Sequence, residues 1–266
     1  MIVMSTELAF LLGLLLKIVM TAGIVVAASV VVERSGPFIG ALIAALPTAG
    51  GAALIILAFE HPPSFIAASV VGSMVASTMG ATFALTYAAL AQRRSLPVSL
   101  GGAFVVWLAA AFALRLVDWS VAGAVLLNAV VFPITIYLSR SFRAEGASRP
   151  RVELTGRDLA WRAGVVTICV IIVTAASTSI GPYFSGVFAF FPVAMGSFFV
   201  ILHSRLGGPA AARVAAHIQA PLIGLTLGLL AVHELAEPIG VWWSYLVGLA
   251  IAAGWNGLLW SMRRRF

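Results

Sequence analysis

The stretch GPFIGALIAALPTAGGAALIIL at residues 36–57 decides the reading of this chain, because a near copy, GPYFSGVFAFFPVAMGSFFVIL, returns 145 residues later at 181–202. The two agree at Gly36 and Gly181, Pro37 and Pro182, Ala44 and Ala189, Pro47 and Pro192, Ala49 and Ala194, Gly51 and Gly196, Ile56 and Ile201, and Leu57 and Leu202. Each copy opens on Gly-Pro, the chemistry of a helix entry, since proline at the first helical position gives up an amide hydrogen that had no partner there. Each is then interrupted at its middle by a second proline. A proline inside a helix removes a backbone hydrogen bond and clashes with the preceding turn, so both copies are expected to kink or break near Pro47 and Pro192.

Outward from that repeat, the composition leaves one class. Of 266 residues, 62% are apolar and 9% charged, and the mean hydropathy is +1.09, which excludes a soluble domain and implies a polytopic all-α membrane protein. A spanning helix needs roughly 20 mostly apolar residues, and runs of that length recur throughout. The opening run, 8–32, is too long for the apolar part of a signal peptide and has no basic residue before it, so it reads as a retained first span. Cys169, the single cysteine, lies within an apolar run and reads as a small buried residue. The net charge of +7 sits in short loops and at the C-terminus, a membrane pattern and not a nucleic-acid one.

Nine spans are expected, at 8–32, 37–59, 65–92, 97–117, 119–138, 159–180, 182–202, 210–232 and 239–262. Their connections alternate in charge. Arg34, Arg93, Arg94, Arg140, Arg143, Arg149, Arg151, Arg157, Arg162, Arg205, Arg213 and Arg263 to Arg265 fall on one side, and Glu7, Glu60, Asp118, Glu234 and Glu237 on the other. The arginine side is expected to be cytoplasmic, which places the N-terminus outside and the C-terminus inside. Trp119, Tyr183, Trp242 and Trp243 at outer edges, with Tyr137, Trp161 and Trp260 at inner ones, suit the headgroup level. The polar segment 140–158 reads as a cytoplasmic loop, solvated or touching anionic lipid through its arginines.

On this frame Pro37 opens a span running outward and Pro182 one running inward, so the halves are inverted copies. A first four-helix repeat at 7–117 and a second at 159–262 are joined by a linker helix at 118–139 and the loop at 140–158. Inverted duplication is the plan of many secondary transporters, whose sites lie near the midplane where discontinuous helices of the two repeats meet. The paired breaks, Pro47-Thr48-Ala49-Gly50-Gly51 and Pro192-Val193-Ala194-Met195-Gly196-Ser197, each lie about ten residues into a span. At about 1.5 Å per residue that is close to mid-bilayer. Helices restarting there aim amides and positive dipole ends inward, which suits an anionic or strongly polar solute; the alternative is that the prolines and glycines only permit close packing.

The candidate solute-binding residues are therefore Pro47, Thr48, Gly51, Pro192, Gly196 and Ser197, with Lys17 and His217 as polar candidates. Lys17, about nine residues into the first span, either faces an anion or a carboxylate-bearing ligand or snorkels outward. Arg162, its counterpart 145 residues on, reads as an interface anchor. His217, just before Pro221, either binds solute or a proton or bonds between helices. Asn128 reads as interhelical hydrogen bonding, and Arg115 with Asp118 as a local pair. No acid falls near the middle of a span, so proton coupling would rest on histidine; sodium coupling through Thr48 or Ser197 and plain facilitated transport stay open. No catalytic set, metal motif or cofactor fingerprint is legible, so neither an enzyme nor a cofactor is expected.

At GALIAALPTAGGAALIIL, on Gly40, Leu46, Pro47 and Thr48, the half-repeat resembles the small GlpM-type bacterial inner-membrane proteins of four predicted spans. The second half departs from that pattern at Phe191-Pro192-Val193. The resemblance implies kinship with four-span proteins and transfers no binding residue. The expected function is a transporter or permease of the bacterial cytoplasmic membrane, with a small-molecule solute and the lipid bilayer as partners and no nucleic acid. A channel, a lipid-translocating protein or a structural membrane subunit are the alternatives.

Overall fold

A computed structural model describes residues 12–27, 48–143 and 155–263. Pro47, Gly36 to Leu46, Arg34, Glu7 and most of the polar loop lie outside them. The described residues are helical, with no strand among them. In order they form α1 (Leu12–Ala27), α2 (Thr48–Glu60), α3 (Pro63–Ala91), α4 (Leu96–Leu114), α5 (Val121–Ser139), a single 3-10 turn at Arg140–Arg143, α6 (Gly156–Ala189), α7 (Val193–Leu206), α8 (Gly208–His217), α9 (Pro221–Leu235) and α10 (Val241–Arg263). Five stretches are long and apolar enough to cross a bilayer: α3, α4, α5 with its 3-10 turn, the run Gly156–Leu206, and α10. The pair α8 and α9, bent by 40°, makes a sixth if it counts as one span.

α3 is the hub. It begins at Pro63 after the extended Pro62, and its Ala, Ser and Gly content lets five other helices, α4, α5, α6, α8 and α9, pack around it. The α3–α6 crossing is backbone against backbone: a Cβ on Gly186 would collide with the Ser69 carbonyl, and one on Gly72 with the Tyr183 carbonyl. Here the Ser73 hydroxyl donates to the Gly186 carbonyl at 3.1 Å. Gly228 and Gly248 bring α9 and α10 together in the same way. Small residues at crossings are how helices associate in lipid, where burying apolar surface gains little.

Polarity is arranged for a bilayer and not for water. Ser77, Asn128 and Thr226 are buried where α3, α5 and α9 meet, and they satisfy one another. The Asn128 amide also donates to the Met74 carbonyl at 2.9 Å, so the interhelical role expected of it is what the structure gives. On the outside, α4, α5, α6 and α10 present large apolar side chains such as Phe112, Leu126, Ile172 and Leu249. An apolar exterior this extensive is at rest only in a nonaqueous surrounding.

Two helix starts fall in register with the sequence repeat. α3 and α8 begin at Pro63 and Gly208, and α4 and α10 at Leu96 and Val241, in each case 145 residues apart. The expected span at 210–232 is not straight: where α3 runs unbroken, its counterpart is divided into α8 and α9 around residues 218–220, ahead of Pro221. The spans expected at 159–180 and 182–202 also part differently. A break falls at Gly181, whose φ of 74° is left-handed backbone open to glycine, and a full interruption follows at 190–192.

Candidate functional site

α6 ends at Ala189 and α7 starts at Val193, so the chain is interrupted at Pro192 as its proline requires. Across the gap the Val193 amide donates to the Phe191 carbonyl at 2.7 Å, and the helical pattern resumes with the Gly196 amide on the Pro192 carbonyl at 2.8 Å. The start of α2 lies against this interruption. A Cβ on Gly50 would come within 2.7 Å of the Phe190 ring, and Ala49 and Ala52 share an apolar cluster with Ala189, Phe190 and Val193.

The side chains around the interruption are mostly aromatic. Phe191 stacks on Phe104 with centroids 5.5 Å apart and meets Trp107 edge-on at 4.9 Å. Gly196 faces Phe104, where a Cβ would lie 3.1 Å from the ring. Ser197 is buried and donates to the Ala194 carbonyl one turn back, at 3.0 Å. Trp107 is fully buried, and its indole N–H has no hydrogen-bond partner among the described residues. Thr48 and Gly51 lie in the first turn of α2, and Pro47 is outside the described residues.

Lys17 and His217 stand apart from that interruption. The Lys17 ammonium pairs with the Glu60 carboxylate at 2.7 Å and donates to the Thr174 hydroxyl at 3.2 Å. Glu60 is the last residue of α2, twelve residues after Thr48, so the pair lies about 18 Å along the helix from its start. Beside it the His61 ring, stacked on Phe65, shares a hydrogen bond with the Ser177 hydroxyl at 2.8 Å. Thr174 and Ser177 are one turn apart on α6, so α1, the α2–α3 corner and α6 are joined by one polar set. Sequence reading missed Glu60, His61, Thr174 and Ser177 as Lys17's surroundings. The signal for the first was present, since a cation within a span requires an acid and Glu60 closes the next one. His217 is the last residue of α8, half-buried at the bend into α9, and the preceding carbonyl, Ala216, accepts from Arg143 Nε at 3.2 Å.

At the start of α6, Thr155 and Asp158 form a reciprocal capping box, and Asp158 also pairs with Arg205 near the end of α7. Arg162 departs from its reading as an interface anchor. It is 4% exposed, with its guanidinium 4.9 Å over the Phe198 ring, because residue 162 falls on the face of α6 that turns toward α7. Arg115 lies over the Phe112 ring at 4.0 Å. Among the described residues no group of three or more His, Cys, Asp or Glu side chains converges as a metal site would require.

Comparison with protein-family models, with curated proteins and with solved structures found no match for this chain.

Proposed function

We propose that this chain is a carrier in a bacterial cytoplasmic membrane, built of two inverted four-helix repeats, that moves a small polar solute past the facing interruptions of its second and seventh spans. The observation that carries this reading is the packing of Gly50, in the first turn of α2, on Phe190, in the gap before α7. Ala49 of α2 and its repeat equivalent Ala194 of α7 share one apolar cluster, and such a meeting of repeats is where carriers of inverted design hold their solutes. The shared 145-residue register of two helix starts supports the duplication, and the arginine bias of the loops supports an outside N-terminus and a cytoplasmic C-terminus. Trp107 supports a polar cargo, since a buried indole donor without a partner is costly unless something else accepts from it. An anion fits best, because it would accept that bond and sit at the positive end of α7. Phe104, Phe190 and Phe191 would then close the passage between turnovers. The chain is read as a transporter and not an enzyme.

Thiol access tests this. In a Cys169→Ser background, Ala49→Cys and Ser197→Cys are exposed to an impermeant thiol reagent in whole cells and in inverted vesicles, with Ser141→Cys as an accessible control. At least one of the two positions should react from water. Inertness of both from both faces, with the control labelled, removes the passage.

A further inference from the structure

One face of α6 is exposed along its first half. Arg157, Trp161, Gly164, Ile168 and Ile172 follow at helical spacing, with Trp161, Ile168 and Ile172 each more than half exposed. At the head of this stripe is an open cleft of about 270 Å³, to which α6 contributes Arg157, Asp158 and Trp161 and the last turns of α7 contribute Ile201, Ser204 and Arg205. Below it Gly164 leaves the helix surface bare, since a Cβ there would meet nothing within 4 Å.

We propose that this cleft holds the phosphodiester headgroup of an anionic phospholipid, with an acyl chain laid along α6 from Gly164 to Ile172. The basic groups and the apolar stripe are continuous, as the two ends of a lipid are. Arg157 and Arg205 match a phosphate in charge and geometry, and Ser204 adds a hydroxyl donor. Asp158 is the one acid in the cleft. Its carboxylate already accepts from the Thr155 amide at 2.8 Å and pairs with Arg205, so it holds that guanidinium in place, and the cleft keeps a net charge of +1. A tryptophan at this level suits the headgroup boundary. A zwitterionic choline headgroup would set its own cation against two arginines, and a free phosphate would leave the apolar stripe unused. The inference needs only that α6 lie in a bilayer, and it stands or falls apart from the carrier reading.

The test uses the full-length purified protein in nanodiscs of equal phosphatidylglycerol and phosphatidylcholine, then native mass spectrometry of the lipids it retains. Phosphatidylglycerol should be enriched over phosphatidylcholine. Arg157→Gln should cut that enrichment roughly fivefold, the effect of one basic side chain at an anionic surface. Gly164→Phe, which fills the open space beside the helix and changes no charge, should also cut it. Neither variant touches Arg205, so the Asp158 pair persists. Equal retention of the two lipids, enrichment unchanged in both variants, or displacement of phosphatidylglycerol by millimolar inorganic phosphate overturns the proposal.

Discussion

Glu60 and Arg205 stand 145 residues apart, the offset of the repeated stretch, and each reaches from the end of one helix to the helix before it in the chain's packing. Glu60 pairs with Lys17 of α1 at 2.7 Å, and Arg205 with Asp158 of α6. The sign is reversed between the two, acid then base at the shared position. Each pair lies at the C-terminal end of a helix, α2 in one case and α7 in the other. Away from these pairs, Ala49 and Ala52 of α2 share an apolar cluster with Val193 of α7, so the two helices meet near one end and are tied down at the other.

The Lys17–Glu60 pair is partly exposed, at 19% and 35% for the two side chains, so its contribution is expected to be modest. Glu60→Gln should lower unfolding stability in detergent by about 1 kcal/mol. Lys17→Met in the Glu60→Gln background should cost less than the two single changes summed, since the second change removes a cation that the first left unpaired. Additive effects in that cycle would mean that the ion pair contributes nothing.

Asn128 ties three helices at once, bonding Ser77 of α3, Thr226 of α9 and the Met74 carbonyl. Asn128→Ala removes these bonds and leaves the Ser77 and Thr226 hydroxyls with only each other and the Met74 carbonyl. Stability should fall by about 1–2 kcal/mol, within the range measured for interhelical bonds in lipid. Asn128→Leu should do no better, because the Oδ1 acceptor shared by Ser77 and Thr226 is lost in either case. Thermal unfolding followed by tryptophan fluorescence reads both, and an unchanged midpoint would show the network to be dispensable.

How much of this was legible in the residues follows from what is local. The interruption at Pro192 and the register of the helix starts are set by prolines and glycines acting on their own backbone, and both appear in the sequence. The surroundings of the interruption are not local. Phe104 and Trp107 come from α4 while Phe190 and Phe191 come from the gap before α7, and nothing in either segment announces the other. Lys17 was legible as a cation needing company, but its partners Glu60 and Thr174 are 43 and 157 residues away and are chosen by packing. Arg162 was misplaced for a related reason: a residue one turn inside a span faces either lipid or protein, and only the neighbouring helix, here bearing Phe198, decides which. The bend between α8 and α9 had its cause in view at Pro221, whose ring disfavours a continuous helix through the residues before it.

Two glycines on the same helix should respond in opposite ways. At Gly186 a Cβ would strike the Ser69 carbonyl, so the α3–α6 crossing would have to open, while at Gly164 the same atom meets nothing within 4 Å. Gly186→Ala should cost several kcal/mol or prevent recovery of monodisperse protein, as overpacking at a backbone contact does. Gly164→Ala should be neutral or slightly stabilising, since alanine is the better helix former by about 1 kcal/mol. Size-exclusion profiles of the two single variants decide it, and equal behaviour would contradict the close crossing.

Trp107 separates stability from function. Its indole N–H is buried without a partner among the described residues, beside the ring of Phe191. Trp107→Phe keeps an aromatic ring there and removes the unsatisfied donor, trading some lost packing area against relief of a desolvation cost of about 1–3 kcal/mol. The variant's melting point should therefore stay within a few degrees of the parent or rise. If the donor is kept for a solute, the same change should abolish the thermal shift produced by whichever small organic anion stabilises the parent protein in a screen. A group retained at a cost to the fold and needed for the ligand is the signature of a binding position. A variant that melts lower and still binds would instead make Trp107 a packing residue, and the case for a polar cargo at the interruption would lose its one side-chain donor.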